Sequence, residues 1–160
     1  MDFETTLVAD QQDTILTKAD IGFDVKVTWL AIARMFSSAS NEQGVTVTMG
    51  FALLNISREK GTPATKIAPL LGMEPRSLTR LLKKLEEDGL ISRKPDPEDK
   101  RSVRIFLTAL GAEKKAIAQQ QVERFNSAVR ASVKEKELRS FFDTLEKIHN
   151  VIKENTIKST

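Results

Sequence analysis

Apolar residues along this chain recur mostly at intervals of three and four, the spacing that lines one face of a helix. Val25, Trp29, Ile32 and Phe36 form the first stripe, and Phe23, Val27, Leu30 and Met35 widen it to a second face. A helix apolar on two faces needs two partners, here its own domain and a second subunit. Asp20 is placed to cap this helix, and the run from Ser40 to Gly44 supplies a C-terminal breaker. The preceding residues, 1 to about 18, are polar and weakly patterned, a loose arm or one short helix.

Thr46 or Thr48 can cap a second helix, with Phe51, Leu54 and Ile56 beside Ala52 and Leu53 as its buried face and Glu59-Lys60-Gly61 as its end. Pro63 or Ala64 suits the first turn of a third helix carrying Ile67, Leu70 and Leu71 and closed by Gly72. Pro69 lies inside it and removes a backbone donor, so this helix should be short, kinked or late to start. Leu78, Leu81, Leu82 and Leu85 then fall at i, i+3, i+4 and i+7, one clean stripe on a fourth helix. Pro75 fits its first turn, and Glu74 suits its positive N-terminal end.

The period changes after Asp88-Gly89. Leu90 to Lys94 and Val103 to Leu107 read as strands, the second alternating Val103, Ile105 and Leu107 with Arg104 and Phe106. Between them PDPEDKR makes a turn-rich, exposed tip. Thr108 caps a long helix that runs to about Ala131. Past KEKE, a terminal helix carries Leu138, Phe141, Phe142, Leu145, Ile148 and Ile152 at intervals of three and four. No later segment covers that last stripe, so a partner subunit is its expected cover, with packing back on the first helix as the alternative.

Helix, tight break, helix and two-stranded ribbon together outline a winged helix-turn-helix, a module that reads DNA. Off the leucine stripe of the fourth helix lie Arg76, Ser77, Thr79, Arg80, Lys83 and Lys84, with Arg76, Arg80 and Lys84 one turn apart in a line. A solvated charged face is the plain reading of such a helix. The turn before it and the ribbon after it favour a recognition helix instead. Lys83, Lys84, Lys94, Lys100 and Arg104 are expected mostly on phosphate, and Arg76 or Arg80 on guanine. Thr65 and Lys66 on the third helix join the DNA-facing set. At the tip, Asp99 is expected to orient Arg101 by a charge-assisted hydrogen bond, because unpaired acids there would repel DNA.

Composition narrows the alternatives. The chain has 160 residues, 40% hydrophobic and 29% charged, with a net charge of +3, which is mildly basic and decides little alone. No apolar run reaches the roughly 18 to 20 residues of a membrane span, and the acidic start is unlike a secretory leader, so a cytoplasmic protein is expected. Zero cysteines exclude disulfides, thiolate nucleophiles and Cys-ligated zinc. With one histidine and no tyrosine or glycine-rich phosphate loop, an enzyme is not expected, nor is a cofactor. His149 sits beside Ile148 and Val151, as a packed or surface histidine rather than a metal ligand. A winged-helix protein-interaction module that does not bind specific DNA is the alternative; loss of the Arg76/Arg80/Lys84 line or of Arg101 would favour it, and all are present.

The stretch RSLTRLLKKLEEDGLISRKPDPEDKRSVRIFLTALG, residues 76–111, resembles the MarR family of bacterial regulators. Leu85, Glu86, Gly89 and Leu90 match that family's turn after the recognition helix. Asp96, Pro97, Asp99 and Arg101 match its wing, and Leu107, Thr108 and Gly111 match its Leu-Thr-x-x-Gly. The resemblance extends over about 21–152; where the family's wing often has a further arginine, this chain has Glu98. It implies a mainly α fold with a small β-wing. A helical arm at 1–44 and C-terminal helices at 111–160 would form a dimerisation domain around a winged lobe at 45–110. It also implies a homodimer on a pseudo-palindromic operator, with Arg76, Ser77, Thr79 and Arg80 in the major groove and Arg101 in the minor groove. Most relatives are repressors, many released by a small organic effector, for which Phe23, Trp29, Met49 and Phe51 are candidate pocket residues. Core packing is the competing fate of those four.

Overall fold

A computed structural model describes residues 20–41, 44–97, 99 and 102–158. The chain divides into two compact units, Met1–Val47 and Thr48–Thr160. The expected N-terminal arm lies outside the described residues, as do Glu98, Lys100 and Arg101 of the wing tip.

The first unit contains α1, Ile21–Asn41. Asp20 caps it as expected: the Phe23 amide donates to Asp20 Oδ1 at 2.8 Å, satisfying one of the first-turn amides that have no partner within the helix. The helix ends inside the expected breaker. Phe36 is buried, but Ile21, Phe23, Val25, Val27, Trp29, Leu30 and Met35 are all exposed. Nearly the whole two-faced apolar surface is thus open to solvent.

In the second unit the order is α2 (Val47–Leu54, entered from the unit boundary), β1 (Thr62–Pro63), α3 (Ala64–Leu71), α4 (Pro75–Glu87), β2 (Ile91–Pro95), β3 (Val103–Leu107), α5 (Ala109–Ser132) and α6 (Glu135–Lys158). Its core is made of Met49, Ala52, Leu53, Ile56, Ile67, Leu78, Leu82, Leu85, Leu90, Ile91 and Ile105. The leucine stripe of α4 therefore packs as its spacing requires, with Leu81 half-buried at the margin. Pro75 occupies the first turn of α4 and Glu74 the cap position. Helix α3 is short, as Pro69 demands, and Gly72 closes it.

Two expectations need correction. Helix α2 stops at Leu54, well before Glu59-Lys60-Gly61. Its last turn tightens, with the Asn55 amide on Ala52 O and the Ile56 amide on Leu53 O, while Asn55 Nδ2 donates to Phe51 O at 2.9 Å. Asparagine competes with the helix for backbone partners in this way. Ile56 is still buried, but from the turn rather than from the helix. The ribbon, read as two-stranded, is a three-stranded antiparallel sheet in the order β1-β3-β2. Thr62 pairs with Ile105 and Pro63 with Arg104. Two residues give no readable period, and proline ends an edge strand at once because it lacks a donor.

The motif Gly-Leu, then Leu-Thr-x-x-Gly, has a physical basis here. After α4 the Gly89 amide returns to Glu86 O and the Leu90 amide to Leu85 O, a Schellman-type closure that buries Leu90 beside the core. Thr108 then joins this turn to α5. Its amide donates to Leu90 O, its hydroxyl donates to Gly89 O at 2.6 Å, and the same oxygen accepts the Gly111 amide at 3.0 Å. At Gly111 a Cβ atom would lie 1.8 Å from Leu90 O, so only glycine lets α5 approach this closely.

Candidate nucleic-acid interface

Burial of Leu78, Leu82 and Leu85 turns the opposite side of α4 outward. Arg76, Ser77, Thr79, Arg80, Lys83 and Lys84 are all exposed there. Arg76 and Arg80 form no ion pair with any described residue. The Thr79 hydroxyl donates to Pro75 O at 2.9 Å, leaving its lone pairs outward as acceptors. On α3, Thr65 and Lys66 are exposed as well.

Further along α4, acids engage the basic line. Lys83 lies 3.7 Å from Glu87 and Lys84 2.5 Å from Asp88, both at i,i+4. The Asp88 hydrogen bond, and then its charge, raise the pKa of Lys84. Both pairs are solvent-exposed, so each contributes little to stability, yet each puts a carboxylate in competition with phosphate. Glu86 turns to Arg93 on β2 at 2.9 Å and ties the end of the helix to the wing.

In the wing, Lys94 is exposed and its ammonium sits 5.2 Å from the centre of the Phe106 ring, a cation–π distance. Arg104, read from sequence as a phosphate contact, is turned into the lobe. Its Nε donates to Asp96 Oδ2 at 3.0 Å and its Nη2 to Asp96 Oδ1 at 3.3 Å. Its Nη1 donates to Lys60 O at 3.2 Å. The Arg104 side chain is 14% exposed and that of Asp96 3%, so this fork-on-carboxylate pair is a buried brace of the wing. The Asp96 amide also donates to Ser102 O, and the Ser102 amide to Asp99 O. Asp99 is exposed; the contact expected between it and Arg101, and the position of Lys100, lie outside the described residues.

The Asp96–Arg104 brace was missed in the sequence. Its signal is diagonal placement: Arg104 pairs with Lys94 across the ladder, and Asp96 lies two residues beyond Lys94, on the same side of the ribbon. Lys115 on α5 was missed too, and no local pattern announces it. Its ammonium donates to Leu54 O at 3.0 Å and Ile56 O at 2.6 Å, closing the C-terminal end of α2. Burial, and then the positive Arg58, lower its pKa. Of the four candidate effector residues, Met49 belongs to the lobe core and Phe51 is half-buried there, while Phe23 and Trp29 are exposed on α1.

Comparison with known proteins agrees with this geometry. Residues 45–103 match the model of the MarR family. An uncharacterised helix-turn-helix transcriptional regulator of Bacillus subtilis is 34% identical over 82 residues, 51% of this chain and 50% of the relative. The chain spans about half the length of the curated relatives first matched. Among solved structures, a MarR protein of Peptoclostridium difficile superposes with a TM-score of 0.79 at 16% identity, over 95% of this chain and 99% of that one. A MarR family regulator of Listeria monocytogenes, solved with a 26mer DNA, gives 0.75 at 22% identity over 86% and 92%. Residues 45–103 are a winged helix-turn-helix domain of the MarR family.

Proposed function

We propose that this chain is a dimeric, sequence-specific DNA-binding regulator of transcription. The observation that carries the reading is the outward face of α4, which presents Arg76, Ser77, Thr79 and Arg80 opposite a buried leucine stripe and next to a wing. Such a helix lies in the major groove, where an arginine bidentate to guanine is worth roughly 1 to 3 kcal/mol of base discrimination. Thr65, Lys66 and Lys94 supply phosphate contacts, and Lys83 and Lys84 do so in competition with Glu87 and Asp88. Arg104 acts indirectly, by holding the wing. The DNA in the Listeria monocytogenes structure supports the reading by analogy of fold.

Dimerisation is supported by the exposed apolar residues of α1 and of α6, including Phe141, Phe142, Val151 and Ile152. Pairing two lobes gives a reader of inverted repeats. In such a regulator, repression relieved by a small organic effector is the mode we assign, with Phe23 and Trp29 on α1, and Phe51 on α2, each a candidate contact for it. Met49 is already committed to the core.

Sedimentation of the protein with and without a duplex, in a salt series, tests this. The reading predicts a dimer and a steep loss of affinity with salt, as counterion release requires. A monomer, or affinity independent of salt, contradicts it.

A further inference from the structure

The lobe contains a run of hydrogen bonds that begins on α5 and ends at the wing. Lys115 Nζ donates to Leu54 O and Ile56 O. The Ile56 carbonyl and the Ser57 amide are two ends of one peptide group, and that amide donates to Thr62 Oγ1 at 2.9 Å. Thr62 Oγ1 in turn donates to Asn55 O at 3.2 Å, and the Lys60 amide donates to Ser57 Oγ at 3.2 Å. The Lys60 carbonyl then receives Arg104, whose other nitrogens clasp Asp96 at the base of the wing tip. At Ser57 and at Lys60 these bonds are linked by covalent backbone, so the run couples α5 to the wing by holding the turn in place. The turn has no slack against the sheet. A Cβ at Gly61 would meet Ile105 O at 2.7 Å and the Phe106 ring at 2.8 Å. A shift of the turn therefore moves β3.

We propose that Lys115 is a positioning residue for the wing, acting from α5 through the 54–62 turn and Arg104 on Asp96. It touches no DNA in this account. Its ammonium fixes the two carbonyls at the end of α2, the turn that hangs from them fixes Lys60 O, and Lys60 O fixes the guanidinium that holds the wing. A displacement of α5 would reach the wing by the same route. The consequence for DNA rests on the function proposed above; the consequence for the free protein does not.

Amide hydrogen exchange on the full chain without DNA is the test, with Lys115→Met, Lys115→Arg and the near-isosteric Thr62→Val. The Met and Val variants should speed exchange at the Asp96 and Ser102 amides by about tenfold or more, as for a local opening. Leu82 and Leu85 in α4 should keep their protection, and Lys115→Arg should retain most of the wing protection. Unchanged wing amides in the variants that fold, or equal acceleration at α4 and the wing, would overturn the proposal. Thr62→Val decides the matter should Lys115→Met fail to fold. A hydroxyl-radical footprint on a selected duplex adds the DNA consequence: Lys115→Met should weaken protection under the wing by about fivefold, within the span of coupling residues, and spare that under α4. No footprint from wild-type protein would remove the DNA reading alone, with the wing coupling still decided by exchange.

Discussion

Leu85 on α4 and Phe142 on α6 both sit on apolar stripes spaced by three and four, yet Leu85 is 0% exposed and Phe142 54%. The same contrast separates the lobe from the terminal helices generally. In the lobe, apolar side chains from α2, α3, α4 and the sheet close over one another; on α1 and α6 most are exposed or half-buried, Phe36 being buried. An identical sequence signal thus has two meanings. On α4 it describes a core the chain completes for itself, and on α6 it leaves an exposed apolar face, which we propose is half of a dimer interface.

Removing residues 138–160 should have the largest effect, because it takes away one side of the proposed dimer interface. We expect aggregated or unfolded protein by sedimentation and circular dichroism, whereas a soluble, folded monomer would erase the distinction. Next comes Gly111→Ala, which forces a methyl group against Leu90 O. Backbone must shift to admit it, at a cost of about 3 kcal/mol or more, read as a lower urea midpoint. Leu85→Ala and Phe142→Ala form a matched pair that sharpens the comparison. The first should cost about 2 to 5 kcal/mol as a cavity in the core, without dependence on protein concentration. The second should lower thermal stability most in dilute protein, as expected for a dimer contact. Equal concentration dependence in both would deny the two roles. The smallest effect is expected from Asp88→Asn, which releases Lys84 from its carboxylate. DNA affinity should rise by about two- to fivefold at low salt and converge with wild type at high salt; an unchanged affinity at low salt would mean Lys84 does not meet phosphate.

The fold was legible wherever a long period or a cap fixed it. Asp20, Thr108 and the Leu78–Leu85 stripe behave as their chemistry requires, because caps and amphipathic stripes are local. Other features depend on partners far along the chain. The early end of α2 is settled by Asn55 and by Lys115, 61 residues beyond Leu54, and β1 exists only because β3 receives it. The outward residues of α4 were readable from spacing. Arg104 was not, since its charge suggests phosphate while Asp96 and Lys60 O claim all three of its nitrogens.

Selection of binding sites from a random DNA pool at near-physiological salt, with wild type and Arg80→Ala side by side, tests the central claim most directly. The account predicts an inverted repeat with half-sites about 10 base pairs apart, and for Arg80→Ala a loss of preference at one position per half-site, worth roughly 1 to 3 kcal/mol. Binding with no enriched motif, or the same motif at the same strength from Arg80→Ala, would contradict a recognition helix that reads bases through this face.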